Sequence, residues 1–475
     1  MVRELFLDVR HNRCRAAVVE DGRLSEIHIE KQSQSNSCES LYYGRVQSIR
    51  ASLHAAFVDI GEEKNAFLPL EESVGIKCGD MLIVQAAARQ ENDDKGLRIT
   101  TKINLAGRWT VIVPGETGVH ISKKVKDPSV RTELLRIAER IRPEGCGIII
   151  RTASADITEE LLEEEAASLY ERWMLAKKRA VGMIKPGMLL RSETLSERLI
   201  RDLRDIFKVT TNSVYEYARL AEMQKHALID NLTVIELYAE KNTLLFDAFN
   251  IESQIDKALK KRVWLPCGGY LVIDLCEALT VIDVNSGKMT LGSELEETAL
   301  KVNLEAAEEI ARQIRLRDLG GIIIVDFIDL MKRDNRQLLI RHMKEAVLRD
   351  RTPVVIEGMT RLGLMEITRK RVRNSLHKHM QSSCSYCSGR GEVICAEEIA
   401  CRALRQVKRM TLSGQRGPFV IRCSPQVAQA LTGMHTEMEE TRVYALSVNG
   451  KHAERFDIEQ TGAGSTIPKE AVKLS

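Results

Sequence analysis

The sequence predicts a multidomain protein of mixed α/β and β structure, and three observations carry that reading. Its 475 residues exceed what one compact core accommodates, so two to four domains are expected. Residues 36 to about 101 are short apolar runs broken by turn residues, the pattern of a small barrel. Residues 279 to 326 read as strand, helix and strand, the pattern of a parallel βαβ crossover.

The crossover carries the chemistry. Along Val281 to Asn285 the side-chain period of two puts Ile282 and Val284 on one face and Asp283 and Asn285 on the other. Asp326 sits within Ile-Ile-Val-Asp-Phe-Ile, where an unpaired charge is costly to desolvate and calls for a partner. Between the runs, Ser293 to Leu319 reads as one amphipathic helix that opens with a Ser293-x-x-Glu296 capping box and stops at Gly320-Gly321. Parallel neighbouring strands would let Asp283 and Asp326 share one Mg²⁺, a hard ion commonly held by one or two carboxylates with water and phosphate oxygens. The Asn285 amide would then reach a phosphate. Residue types alone leave a plainer reading open, in which both Asp residues cap turns or pair with arginines. Asp274 is a third candidate ligand by spacing, and Asp329 reads as a cap for a helix from about Arg333 to Arg349.

The first 35 residues alternate strands and turns, with Asp21-Gly22 as a hairpin signal, and are too few for a domain of their own. In residues 36–101, Phe57 and Phe67 fall on strands joined by a short loop, so both rings can share a face. Lys95, in the polar loop Asn92-Asp93-Asp94-Lys95-Gly96, is a candidate cation. Flat π-faces and cations are what single-stranded RNA binding requires; burial in a core is the commoner fate of phenylalanine. Aromatics make up only 4% of the chain, which makes this pair stand out.

Residues 102 to 199 begin with strands, pass a basic Ser122-Lys123-Lys124, and reach an apolar strand closed by Arg151 and Thr152, a guanidinium and a hydroxyl suited to a phosphate monoester. A long helix follows from about Thr158 to Val181. Residues 200–258 contain helix-like runs at Arg198 to Phe207 and Asn212 to Met223. The basic run Thr368 to Arg373 is either a solvated helix face or a phosphate contact.

Cys384-Ser385-Tyr386-Cys387 with Gly389 and Gly391 forms a knuckle able to wrap a metal. Structural Zn²⁺ takes four ligands and one knuckle supplies two. Cys395 and Cys401 are spaced for a helix, and no second CxxC exists. The remaining solution is a pair from another subunit, hence a dimer sharing zinc. From Ala396 a small α/β unit follows.

The runs Ala278 to Ser286 and Leu316 to Gly321, with Asp326-Phe327-Ile328-Asp329, resemble the catalytic core of the ribonuclease E/ribonuclease G family, bacterial endonucleases that cut single-stranded RNA. The resemblance extends from near the N-terminus to about residue 395. It implies that Asp283 and Asp326 hold a catalytic Mg²⁺, with Asn285 assisting. It implies an S1 (OB-type) barrel at 36–101, with Phe57, Phe67 and Lys95 gripping RNA, inserted in a ribonuclease H-like subdomain made of 1–35 and 200–258. Residues 102–199 become a 5′-sensor subdomain, in which Arg151 and Thr152, helped by backbone at Gly107 and Val111, bind a 5′-monophosphate; a triphosphate is larger and more highly charged. Residues 259–380 become a DNase I-like catalytic subdomain, 381–394 a zinc link through Cys384 and Cys387, and 395–475 a small C-terminal domain with a frayed tail. The implied products carry 5′-phosphate and 3′-hydroxyl ends, and the implied sites are A/U-rich RNA in rRNA processing and mRNA decay. The sequence ends without a long acidic or Pro-rich scaffold tail, which resembles the compact ribonuclease G form. Dimer or tetramer, Mg²⁺ or Mn²⁺, and the natural substrates stay open.

Composition sets bounds on all this. A net charge of +3 excludes a globally basic nucleic-acid coat, so any RNA surface is local. Eleven scattered cysteines, no signal-peptide pattern and no apolar run of membrane-spanning length predict a cytoplasmic protein without a membrane span. The competing functions are an S1-type RNA-binding factor without catalysis, and a metal-dependent phosphatase or DNase on the same core. Paired carboxylates disfavour the first, and the aromatic pair disfavours the second.

Overall fold

The computed structural model describes residues 2–31, 39–69, 75–88, 96–123, 125–154, 157–203, 205–225, 229–230, 232–287, 295–387, 389–434, 442–450, 452–461 and 467–474. The chain divides into two compact units, Met1–Met380 and Gln381–Ser475.

In the first unit, residues distant in sequence build one sheet. Strands Arg3–Arg10, Arg13–Glu20 and Arg23–Lys31 form an antiparallel meander; the Asp21-Gly22 turn takes left-handed φ values of 48° and 76°, as a tight hairpin of right-handed twist needs. Arg3–Arg10 then pairs in parallel with Ile206–Thr211, which pairs with Val234–Leu237. The helix expected over 198–207 is therefore a shorter helix, Leu195–Asp202, followed by this strand. Thr194 caps the helix, its hydroxyl and the Glu197 carboxylate forming a reciprocal capping box.

The barrel region is closed. Leu41–Arg50, Ala55–Asp59, Ala66–Pro69, Arg98–Thr100 and Met81–Ala88 pair in that order, and Leu41–Arg50 pairs again with Met81–Ala88. Gly187–Leu190 adds to the outside of Leu41–Arg50. Val46, Val58, Leu68, Val84 and Ile99 fill the interior, each from the inward-pointing set of its strand. This is a mixed α/β protein with a barrel of OB character.

The crossover lies in a six-stranded sheet ordered Arg262–Trp264, Tyr270–Leu275, Leu279–Asn285, Gly321–Asp326, Leu364–Arg369, Val354–Met359. Leu279–Asn285 and Gly321–Asp326 are parallel, and the other pairings are antiparallel. Helix Leu295–Leu316 presents Val302, Ala306, Ile310 and Ile314, spaced four apart, to Leu271, Ile282, Ile323 and Val325 in one core. Ser293, the expected cap, lies outside the described residues, which resume at Leu295. Glu296 does something else: its carboxylate accepts from the backbone N–H of Met331 and Lys332 and from the Asn335 amide. One sheet face is thus packed, and the other is left open.

The basic run 368–373 is a strand end and its exit. Arg369 is buried, donating to Asp318 at 2.5 Å and to Asp350 at 2.8 Å, while Arg373 also pairs with Asp318. Two of its cations therefore serve the fold. Among the described residues, no helix is long and apolar enough to cross a membrane.

In the second unit, helices Ala396–Leu412 and Pro425–Thr432 pack on a four-stranded sheet ordered Asp457–Gln460, Phe419–Cys423, Val443–Ser447, Val472–Lys473. The small α/β unit expected from Ala396 is present, but the tail expected to fray is tied down: Val472–Lys473 pairs with Val443–Ser447, and Leu474 is buried in the same core.

Candidate functional site

The parallel pairing sets Asp283 directly beside Asp326, so their Cα atoms stand one strand spacing apart, about 4.8 Å. Ile282, Val284 and Val325 turn into the core, and the intervening carboxylates turn out onto the open face. Asp326 is therefore exposed at its strand end rather than enclosed by its apolar neighbours. Partial burial, the charge of Asp283 and that of Asp329 all raise the Asp326 carboxyl above its ordinary range. The Asn285 amide donates to Asp283 Oδ2 at 2.7 Å, so it orients that carboxylate while its second N–H remains available to another acceptor.

Asp329 is not the helix cap the sequence suggested. The N-cap of Arg333–Ala346 is Lys332, without a side-chain cap, and Asp329 is instead a third carboxylate close enough to act on Asp326. The loop that carries both is fixed from below. Asn303, 0% exposed on the crossover helix, donates its amide to the Ile328 carbonyl at 2.7 Å and accepts from the Ile328 N–H at 3.1 Å. Glu296 holds the loop at Met331 and Lys332, three and four residues further on. Asp274, the third candidate by spacing, is paired with Lys261.

On the barrel, Phe57 and Phe67 are cross-strand partners with ring centroids 6.2 Å apart in an edge-to-face arrangement, both half-buried. Lys95 lies outside the described residues. Two cations that sequence reasoning missed stand near: the Arg50 guanidinium is 5.8 Å from the Phe57 ring, and exposed Arg98 is the strand partner of Phe67.

The Arg151 region is already occupied by the protein's own groups. Arg151 donates to the Gly107 carbonyl at 2.6 Å and to Asp202 at 2.8 Å. Asp202 is partly buried, which opposes ionisation, but Arg201 and Arg151 outweigh that and hold its carboxyl below the ordinary range. Thr152 exchanges a hydrogen bond with Ser122 at 2.9 Å. Glu165, from helix Glu159–Gly182, accepts from the N–H groups of Arg108, Trp109 and Thr110 and from the Thr110 hydroxyl. Gly107 is required there, because a Cβ would stand 2.4 Å from the Glu165 carboxyl carbon. Val111 lies half-buried on strand Thr110–Pro114, opposite Ile149. Gly107 and Arg151 thus meet.

Among the described residues, no three His, Cys, Asp or Glu side chains are placed to hold a metal. Asp283 and Asp326 offer a two-carboxylate set open to solvent, which fits a hard ion that keeps most of its water. Their mutual repulsion favours a cation between them.

The model of the ribonuclease E/G family matches residues 104–372. The chain belongs to the ribonuclease E/G family. It is 34% identical to ribonuclease G of Escherichia coli K12 over 456 residues, 91% of this chain and 93% of that protein. It is 32% identical to ribonuclease G of Haemophilus influenzae over 96% of this chain and 99% of that protein. Against ribonuclease E of E. coli K12 it is 35% identical over 87% of this chain, a match that covers 41% of that longer protein.

In this ribonuclease E/G protein the second unit carries the cysteine knuckle. Backbone N–H groups of Cys387 and Tyr386, with the Cys387 side chain, lower the Cys384 thiol from its ordinary pKa, and Gly391 N–H donates to Cys387 Sγ at 3.3 Å. Gly389 and Gly391 take φ of 84° and 79°, which lets the loop turn its N–H groups toward sulfur. Cys395 is the N-cap residue of Ala396–Leu412 and Cys401 points at Met434, so neither joins the pair.

Proposed function

We propose that this protein is an endoribonuclease that hydrolyses phosphodiester bonds in single-stranded RNA at Asp283 and Asp326. Membership of a ribonuclease family supports the reaction class, and the single observation that carries the site is the side-by-side pairing of two outward carboxylates on parallel strands. A Mg²⁺ ion bound there would supply charge neutralisation at the phosphate and an acidified water. Asp283 and Asp326 hold the ion; Asn285 keeps Asp283 in its binding orientation and offers its free amide N–H to a phosphate oxygen. Phe57 and Phe67 stack bases of the strand, with Arg50, Arg98 and Lys95 as cations for its backbone. The subdomain assignments, S1, ribonuclease H-like, 5′-sensor and DNase I-like, belong to the same reading, as does a cytoplasmic role in RNA processing and decay.

Arg151 and Thr152 form the 5′-monophosphate pocket in this reading. Occupying it means exchanging Asp202 for the incoming phosphate, a charge-assisted and bidentate partner. Cys384 and Cys387 share Zn²⁺ with the same pair of a second subunit. The test is cleavage of an A/U-rich oligoribonucleotide, bearing a 5′-monophosphate or a 5′-hydroxyl, in Mg²⁺ and in EDTA. Cutting that needs metal, and is faster on the monophosphate in wild type but not in Arg151→Ala, is expected. Binding without cutting would instead leave an S1-type RNA-binding factor.

A further inference from the structure

The open face of the six-stranded sheet carries more than carboxylates. Strand pairing lays two rows across it. Arg262 stands opposite Val272, which stands opposite Asp283 beside Asp326; Trp264 stands opposite Tyr270, which stands opposite Asn285. Directly opposed residues in a sheet project to the same side, so the indole, the phenol and the guanidinium share the face of the candidate catalytic groups. Val263, between Arg262 and Trp264, packs against the core on the other side.

Trp264 is 63% exposed, on an edge strand of three residues. Its ring centroid is 5.2 Å from that of Tyr270, with planes tilted by 59°. The Arg262 guanidinium lies 4.5 Å from the Tyr270 ring and 5.8 Å from the Trp264 ring, and no carboxylate pairs with it among the described residues. An aromatic pair across an edge strand can serve strand pairing alone. That role does not call for an indole left mostly in water, nor for a cation over it on the side where a phosphodiester is cut. Two strand spacings separate Trp264 from Asn285, about 10 Å, a reach of one to two nucleotides.

We propose that Trp264, Tyr270 and Arg262 form a nucleotide subsite beside the cleavage centre, in which Trp264 stacks a base of the single-stranded substrate next to the scissile bond and Arg262 meets its phosphate. The assignment rests on the endoribonuclease reading for what is cut, and adds where the strand is held at the cut. Stacking on an aromatic tolerates any base, so the subsite fixes position along the strand without demanding a sequence. It is separate from the Phe57/Phe67 surface, and together the two would engage the strand at two points.

The test combines fluorescence with substrates that lack one base. Trp264 is the mostly exposed member of three tryptophans, and Trp109 is buried. Titration with a single-stranded oligodeoxynucleotide, which reports stacking without ribonucleolytic cutting, is expected to quench wild-type fluorescence and to quench Trp264→Phe much less. In cleavage, Trp264→Leu and Tyr270→Leu are expected to raise KM about tenfold with a smaller change in kcat, while Trp264→Phe restores most of the loss. An abasic residue moved along the substrate should cost the wild type the same factor at one position near the cut, and cost Trp264→Leu nothing further there. Arg262→Ala should lower the salt dependence of binding by the release of about one counterion. Cutting by the wild type without quenching, or equal abasic penalties in wild type and Trp264→Leu, would overturn the subsite. Quenching without RNA cutting would overturn the endoribonuclease reading and leave a base-stacking face. A change of oligomeric state in Trp264→Leu, with RNA affinity intact, would assign the face to a second copy of the chain.

Discussion

Asp326 shows how the neighbours of a candidate site residue set its charge. Because burial, Asp283 and Asp329 raise its pKa, the folded chain holds this proton more tightly than the unfolded chain does. Its ionisation therefore lowers stability: the favourable contribution is full below the unfolded carboxylate value and is lost as pH rises through the higher folded one. Asp326→Asn should leave Tm at pH 7 in EDTA unchanged or raised, and should abolish the rise in Tm that Mg²⁺ gives the wild type. Thermal unfolding with and without Mg²⁺ measures both; a variant less stable than wild type in EDTA would mean that the carboxylate is engaged in a structural bond. Period-two alternation made Asp283 and Asn285 legible in the sequence, since only the backbone pleat is needed to place them. Asp329 was misread because its place depends on where the following helix begins, and Lys332 takes the cap. Gly107 and Arg151 were singled out together, but Asp202 and Glu165, which occupy their surroundings, come from distant helices and leave no local signal.

At the scale of elements, the crossover helix does more than link two strands. Its apolar stripe builds the core, and Asn303 from the same helix fixes the backbone of Ile328, two residues after Asp326. An amide in a helix otherwise alternating apolar and charged positions reads as a surface residue; only the tertiary arrangement shows that it is buried with both bonds satisfied. Asn303→Ala leaves a backbone N–H and C=O without partners and should cost on the order of 2 kcal/mol in stability. As a positioning residue it should also lower kcat while RNA affinity persists. Chemical denaturation and single-turnover cleavage check this; unchanged kcat in a destabilised variant would make Asn303 a purely structural group. Arg369 shows the converse error. Its basic run suggested a phosphate contact, yet strand exit geometry turns Arg369 inward between Asp318 and Asp350, where two partners satisfy its desolvated charge. Phe207, the end of a helix-like run in the sequence, is a strand residue, because pairing with the N-terminal strand, some two hundred positions earlier, decides its conformation.

For the whole molecule, the sequence marked the barrel and the crossover clearly, because both follow local periodicity. Sheet composition was less legible: residues 3–31 and 206–237 share one sheet through a parallel pairing that no local pattern encodes. The proposed assembly rests on the cysteine knuckle. Two sulfurs surrounded by backbone N–H groups provide half of a tetrahedral site, so the proposed zinc needs two chains. Cys384→Ser should lose bound zinc and fall to the mass of a monomer, with wild type holding one zinc per pair of chains; sedimentation with metal analysis measures both. A dimer that persists without zinc would place the subunit contact elsewhere.

Cleavage at Asp283 and Asp326 is the proposed function of this RNA-binding enzyme. Its most direct test is binding and single-turnover cleavage of one 5′-monophosphorylated, A/U-rich oligoribonucleotide by wild type and Asp283→Asn, both in Mg²⁺. Near-equal affinity is expected, with cleavage by the variant slowed by about a hundred- to a thousandfold, the order lost when one electrostatic stabiliser of the transition state is removed. Cleavage by Asp283→Asn at close to the wild-type rate would contradict it.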